Sequence, residues 1–184
     1  MHLTDFLDFE AIRVGLPGGN KRKLLQMLGQ MAGARLVIEP DAIIETVAER
    51  ERLGSTGFGN GVAIPHGKVE GLKRIYAMVA RLSEPLDYKA IDGQPVDLVF
   101  LLLSPPEAGA EHLKALAAVS RVIRHGPTLE KLRGARSRDA FAAVLMNHGP
   151  AFKALEAELF EGDAEAARLL LRRIGPGLKR IGRI

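Results

Sequence analysis

The chain has no cysteine and no tryptophan among its 184 residues. Without thiols there is no disulfide framework, no thiolate nucleophile and no cysteine-based zinc site. Aromatic residues make up 5%, which argues against a stacking platform for single-stranded nucleic acid. Long apolar runs are also missing. The longest, Leu98 to Leu103, falls far short of the ~20 residues of a membrane span. The opening MHLTDFLDFEAIRVG lacks a basic stretch followed by an apolar one, so no signal peptide is expected. These absences predict a cytoplasmic protein with no membrane span.

What is present is ordinary in bulk: 47% apolar and 26% charged residues. The length allows one sizeable core, or one domain with an appendage. Charge is unevenly placed. Arg168, Arg172, Arg173, Lys179, Arg180 and Arg183 have no acid among them, so with a total of +4 the rest of the chain carries about −2. The basic balance belongs to the tail and says little about partners of the main domain.

There is no internal repeat and no low-complexity segment. Residues 11–16 read as a short strand, broken by Pro17-Gly18-Gly19-Asn20. Residues 21–32 and 41–53 read as helices from apolar residues at helical spacing, and Gly54 ends the second. A loop at 55–61 leads to a short strand, Val62 to Ile64. Strands follow at 75–82 and 96–103, with a turn region at 87–93. Residues 111–124 read as a helix whose stripe is Leu113, Leu116, Ser120 and Ile123, and shorter helices follow at 128–132 and 138–145. This alternation predicts an α/β fold, a central mixed β-sheet with helices on both faces. The Gly149-Pro150 pair suggests a boundary between a domain at 1–148 and a basic helical C-terminal extension at 149–184, with helices at 151–161 and 163–174.

The segment RERLGSTGFGNGVAIPHGK, residues 50–68, is rich in chemistry. Glycines at 57, 59, 61 and 67 allow another group to approach the backbone closely, and successive amides in such a loop can form an anion nest. Ser55 and Thr56 add hydroxyls. Pro65 biases Ile64 to an extended conformation, which sets His66 at a strand end, and Gly67 leaves the ring unscreened. His66 has no partner at metal-ligand spacing, so no metal and no cofactor is expected. A neutral imidazole is a good nucleophile near neutral pH and can take a phosphoryl group covalently. Such a site needs cations and N–H donors around the transferring oxygens, which Arg50 or Arg52, Ser55, Thr56 and the loop amides could supply. On the residues alone the other reading stays open: a glycine-rich turn followed by a solvated histidine. His2, His125 and His148 have no supporting constellation and read as surface residues.

GSTGFGNGVAIPHGK resembles the active-site segment of IIA domains of the phosphoenolpyruvate-dependent phosphotransferase system, fructose/mannitol type. The STGxGNGxAIPHGK form is that of its nitrogen-regulatory branch. IDGQPVDLVFLLLSPPEAGAEHLKALAAVSRVIR and TLEKLRGARSRDAFAAVL resemble later parts of the same family, so the likeness runs over about residues 5–146. The resemblance implies that His66 accepts a phosphoryl group on Nε2 from an HPr-like phosphocarrier. It implies that Arg50 and a second histidine, His112, complete the catalytic set. The residues Ser55, Thr56, Gly57, Gly59, Asn60 and Gly61 are expected to surround the phosphoryl group. His112 falls in the first turn of its helix, whose positive end disfavours the imidazolium form.

The expected function is therefore a phosphohistidine carrier acting as a nitrogen-related regulator of target proteins. The alternative within the family is the IIA component of a fructose/mannitol-type sugar permease. The rivals from another class are a binding module that is never phosphorylated and a nucleic-acid binder acting through the basic tail. The tail departs from the family pattern. Its stripes, Phe152-Leu155-Leu159 and Leu169-Leu170-Ile174, suit packing back on the domain, self-association through residues 151–174, or docking elsewhere.

Overall fold

The apolar run 98–103 is covered on both sides, and the other elements are arranged about it. The computed structural model describes residues 1–147. Its strands are β1 (Arg13–Leu16), β2 (Gly57–Gly59), β3 (Val62–Ala63), β4 (His66–Lys68), β5 (Tyr76–Leu86) and β6 (Val96–Ser104). Its α-helices are α1 (Lys21–Leu36), α2 (Pro40–Arg52), α3 (Gly109–Ile123), α4 (Gly126–Gly134) and α5 (Arg138–Met146). Two single 3-10 turns, Leu3–Asp5 and Phe9–Ala11, precede β1.

The sheet is mixed, as expected. Its order is β1-β5-β6-β3-β2, and β4 continues the chain from β3 along the same edge of β6. β6 pairs antiparallel with β5 and parallel with β3 and β4. Side chains alternate across a strand, and the two cores record this. Leu98, Phe100 and Leu102 join Ala115, Val119, Leu132 and Phe141 from α3, α4 and α5. Val99, Leu101 and Leu103 join Leu24, Leu28, Ile43 and Val47 from α1 and α2. From Leu98 to Leu103 the strand is buried on both faces, which is why that stretch of β6 is apolar and shows no alternation in its sequence.

Three local differences from the sequence reading have physical causes. α1 runs four residues further than expected, to Leu36, and Val37 closes it at φ 56° in the left-handed region. The 55–61 loop is partly a hairpin. β2 and β3 pair antiparallel, and the turn between them holds Asn60 at φ 53° and Gly61 at φ 74°, the conformations an Asn-Gly hairpin turn requires. On α3 the buried stripe is His112, Ala115, Ala118, Val119, Val122 and Ile123, while Leu113 is 66% exposed. The expected stripe was rotated by one residue. The small Ala115 packs against the sheet, and the larger Leu113 is turned outward. The boundary at 148/149, the helices at 151–161 and 163–174 and self-association through 151–174 lie outside the described residues.

Candidate active site

His66 opens β4 at the edge of the sheet. Its register partner is Leu102, and Gly67 and Lys68 are opposite Leu103 and Ser104. Leu102 faces the α3 side of the core and Leu103 the α2 side. The His66 ring therefore projects toward α3, and Gly67 faces α2. A Cβ added at Gly67 would lie 2.6 Å from Thr46 Cγ2, closer than carbon atoms pack. Gly67 is buried. Its lack of a side chain brings β4 against α2, rather than leaving the ring unscreened as the sequence suggested. Thr46 and Arg50 are four residues apart and share a face of α2. The same close approach thus carries Arg50 to His66.

The contacts of His66 specify its tautomer. Nδ1 lies 2.7 Å from the Ile64 carbonyl oxygen. A carbonyl only accepts, so Nδ1 carries the proton. Arg50 donates from Nε to His66 Nε2 at 3.1 Å, and a guanidinium only donates, so Nε2 presents its lone pair. Burial holds the His66 pKa below the ordinary imidazole value. The Ile64 carbonyl opposes this, the Arg50 charge reinforces it and Glu51 opposes it. Arg50 is itself tied down, Nη1 donating to the Gly54 carbonyl at 3.1 Å. Its Nη2 has no hydrogen-bond partner among the described residues.

His112 meets His66 from α3, with ring centroids 5.5 Å apart and planes tilted by 47°. It is buried, and its pKa is lowered by burial first and then by His66, Lys68 and Arg50. Its Nδ1 lies 2.6 Å from the hydroxyl of Ser104, the last residue of β6. The structure thus brings Arg50, His66 and His112 together from α2, β4 and α3.

The glycine-rich segment is placed differently along its length. Thr56 lies beside this cluster, its carbonyl accepting from Ile64 N at 2.9 Å. Gly59, Asn60 and Gly61 lie at the other end of the strand. Gly61 accepts from Asp97 and Leu98 while His66 is opposite Leu102, a separation of about 16 Å at strand rise. The amides nearer the cluster already have acceptors. Thr56 N donates to Glu51, Gly57 N donates to Ser55 Oγ, and the Ser55 hydroxyl donates to the Tyr88 carbonyl. Asn60 N donates to Asp92 at 2.9 Å. These bonds hold the hairpin in shape.

Sequence reasoning did not single out Glu51, Tyr88, Lys21, Thr46 or Ser104. The Glu51 carboxylate is enclosed and receives Thr56 N, Thr56 Oγ1, Tyr88 Oη and the Lys21 ammonium. It fastens the end of α2, and with it Arg50, to the hairpin and to the start of α1. Its one signal in the sequence was adjacency to Arg50 in AERERLG. Asp97 receives Arg133 Nε at 2.7 Å and Nη2 at 2.8 Å. Among the described residues no group of three or more His, Cys, Asp or Glu could hold a metal, and no helix is long and apolar enough to cross a membrane.

Comparison with known proteins agrees with this fold. The family model described as "Phosphoenolpyruvate-dependent sugar phosphotransferase system, EIIA 2" matches residues 5–148. A nitrogen regulatory protein of Bradyrhizobium diazoefficiens is 46% identical over 145 residues, covering 79% of this chain and 95% of that protein. A nitrogen regulatory protein of Pseudomonas aeruginosa is 39% identical over 136 residues, covering 73% of this chain and 88% of that protein. The crystal structure of the nitrogen regulatory protein IIA-Ntr of Neisseria meningitidis superimposes with a TM-score of 0.72 at 33% identity, covering 77% of this chain and 97% of that one. With a family model spanning most of its length, the chain belongs to the EIIA 2 family of the phosphoenolpyruvate-dependent phosphotransferase system.

Proposed function

We propose that the chain is a phosphohistidine carrier that takes a phosphoryl group on Nε2 of His66 from an HPr-like phosphocarrier, and that it acts as a nitrogen-related regulator. The observation that carries this reading is the tautomer of His66. Its proton is held on Nδ1 by the Ile64 carbonyl, and its Nε2 lone pair is turned toward the Arg50 guanidinium. A nucleophilic imidazole needs an unprotonated nitrogen, and a lowered pKa keeps Nε2 so.

The transfer balances without an external base. The Nε2 lone pair attacks phosphorus, and the N–P bond of the donor phosphohistidine breaks with its electron pair returning to the donor nitrogen. Positive charge develops on the His66 ring, and the Nδ1–H to Ile64 hydrogen bond stabilises it. Arg50, with Nη2 free, stabilises the phosphoryl oxygens. Both end states are phosphohistidines, so transfer is near thermoneutral and reversible. The modification adds about two negative charges beside Arg50 and Lys68, enough to change which proteins the surface binds. The relatives named nitrogen regulatory protein support the regulatory assignment. The family description, which speaks of a sugar system, keeps a permease IIA role as the second reading.

The test is intact-mass spectrometry at neutral or alkaline pH after incubation with phosphoenolpyruvate, enzyme I and an HPr-type carrier. One acid-labile phosphoryl adduct on the wild type, absent from His66→Ala, is expected. No adduct with sugar-branch or nitrogen-branch donors overturns the carrier reading and leaves a binding module. Efficient onward transfer to a IIB domain would favour the permease role.

A further inference from the structure

Ser104 ends β6 on the same face as Leu102 and beside Lys68, under the first turn of α3. It is fully buried, 0% exposed. Among the described residues its hydroxyl has one hydrogen-bond partner, His112 Nδ1 at 2.6 Å. Two arrangements fit that distance. If Nδ1 carried the ring proton it would donate to Oγ, and the hydroxyl proton would be left in the interior without an acceptor. If the hydroxyl donates to the Nδ1 lone pair, its proton is satisfied and the ring proton moves to Nε2. A buried donor without a partner is costly, whereas a hydroxyl oxygen tolerates an unused lone pair.

We infer that Ser104 is a positioning residue: its hydroxyl donates to His112 Nδ1, places the ring proton on Nε2 and so gives His112 an N–H for the phosphoryl group carried by His66. The two histidines are then held in opposite tautomers. A carbonyl acceptor, Ile64, leaves the nucleophilic lone pair on Nε2 of His66. A hydroxyl donor, Ser104, leaves a hydrogen-bond donor on Nε2 of His112. His112 Nε2 has no partner among the described residues, and its ring stands 5.5 Å from that of His66. With the opposite tautomer a second lone pair would face the phosphoryl oxygens and repel them. The phosphoryl part of this inference rests on the proposed function. The tautomer part does not.

The test begins with the unphosphorylated full chain, 15N-labelled at histidine, by long-range 1H–15N correlation at pH 7.5, with His66→Gln and His112→Gln used for assignment. The expected result is a protonated Nδ1 on His66 and a protonated Nε2 on His112. A protonated Nδ1 on His112 in the wild type overturns the inference whether or not the chain accepts phosphoryl groups. In Ser104→Ala, His112 should distribute its proton over both nitrogens while His66 keeps its pattern. Phosphoryl transfer to His66 should slow by roughly three- to tenfold, the effect of weakening one hydrogen bond to an anion. Ser104→Thr, which keeps the hydroxyl, should restore both readouts. An unchanged transfer rate in a folded Ser104→Ala that still accepts phosphoryl groups overturns the positioning role. Failure of the carrier reading shows separately, as absence of any adduct on the wild type.

Discussion

Arg50 Nε and His66 Nε2 are 3.1 Å apart, and the guanidinium donates to the nitrogen that the Ile64 carbonyl leaves unprotonated. One cation thereby does two things. It disfavours protonation of the ring, and on the proposed function it stands where the phosphoryl oxygens would arrive.

Replacing Arg50 should therefore separate these effects. Arg50→Ala is expected to slow phosphoryl transfer by roughly 10- to 100-fold, the loss of one or two charge-assisted donors. It should also raise the His66 pKa, because the Arg50 charge lowers it. Arg50→Lys should recover the charge effect on the pKa but only part of the rate. An ammonium cannot donate to His66 and reach the Gly54 carbonyl with the fixed geometry of a guanidinium. NMR titration of His66 and adduct formation over time read the two quantities. A His66 pKa that stays put or falls in Arg50→Ala would contradict the electrostatic part.

The pH dependence of stability follows from the two histidines. Burial is the largest cause of the lowered pKa in both His66 and His112. Below about pH 6.5 an unfolded chain protonates its histidines while the folded protein keeps these two neutral. The unfolded state then binds more protons, so stability falls as pH drops below that value, until the folded histidines protonate too. Each pKa unit of difference corresponds to ~1.4 kcal/mol. Asp8, lowered from 3.8 with Arg35 beside it, acts below this window. The urea midpoint should be lower at pH 5.5 than at pH 7.5, and the difference should shrink in the His66→Gln, His112→Gln double variant. An equal difference in that variant would assign the effect elsewhere.

Gly67→Ala should damage the site through packing. The added methyl would meet Thr46 Cγ2 at 2.6 Å, forcing β4 away from α2 at a cost of about 1–3 kcal/mol. The Arg50 to His66 contact should lengthen and transfer should slow with it. Thr46→Ser removes the clashing methyl and retains a hydroxyl for the Ala42 carbonyl. The double variant is expected to recover most of the stability and rate. If it recovers neither, the close approach of β4 to α2 is not what Gly67 provides.

Much of this protein is legible in the sequence by itself. The apolar run 98–103 reads as a strand covered on both faces, because no polar position interrupts it. Asn60-Gly61 carries its turn chemistry in two residues that adopt positive φ readily. The Pro65-His66 pair puts a histidine at a strand end in any fold that uses the strand. Tertiary structure decided the rest. Helical spacing gives the repeat of the α3 stripe but not its azimuth, and a rotation of one residue turned Leu113 outward and buried His112. The tautomers of His66 and His112 depend on whether a carbonyl or a hydroxyl lies within hydrogen-bond reach of Nδ1. Pairings such as Asp97 with Arg133, 36 residues apart, and Glu51 with Tyr88, 37 apart, exist only once the sheet and helices are assembled. Local sequence places a reactive group on an element. The direction of its lone pair comes from groups that folding brings to it.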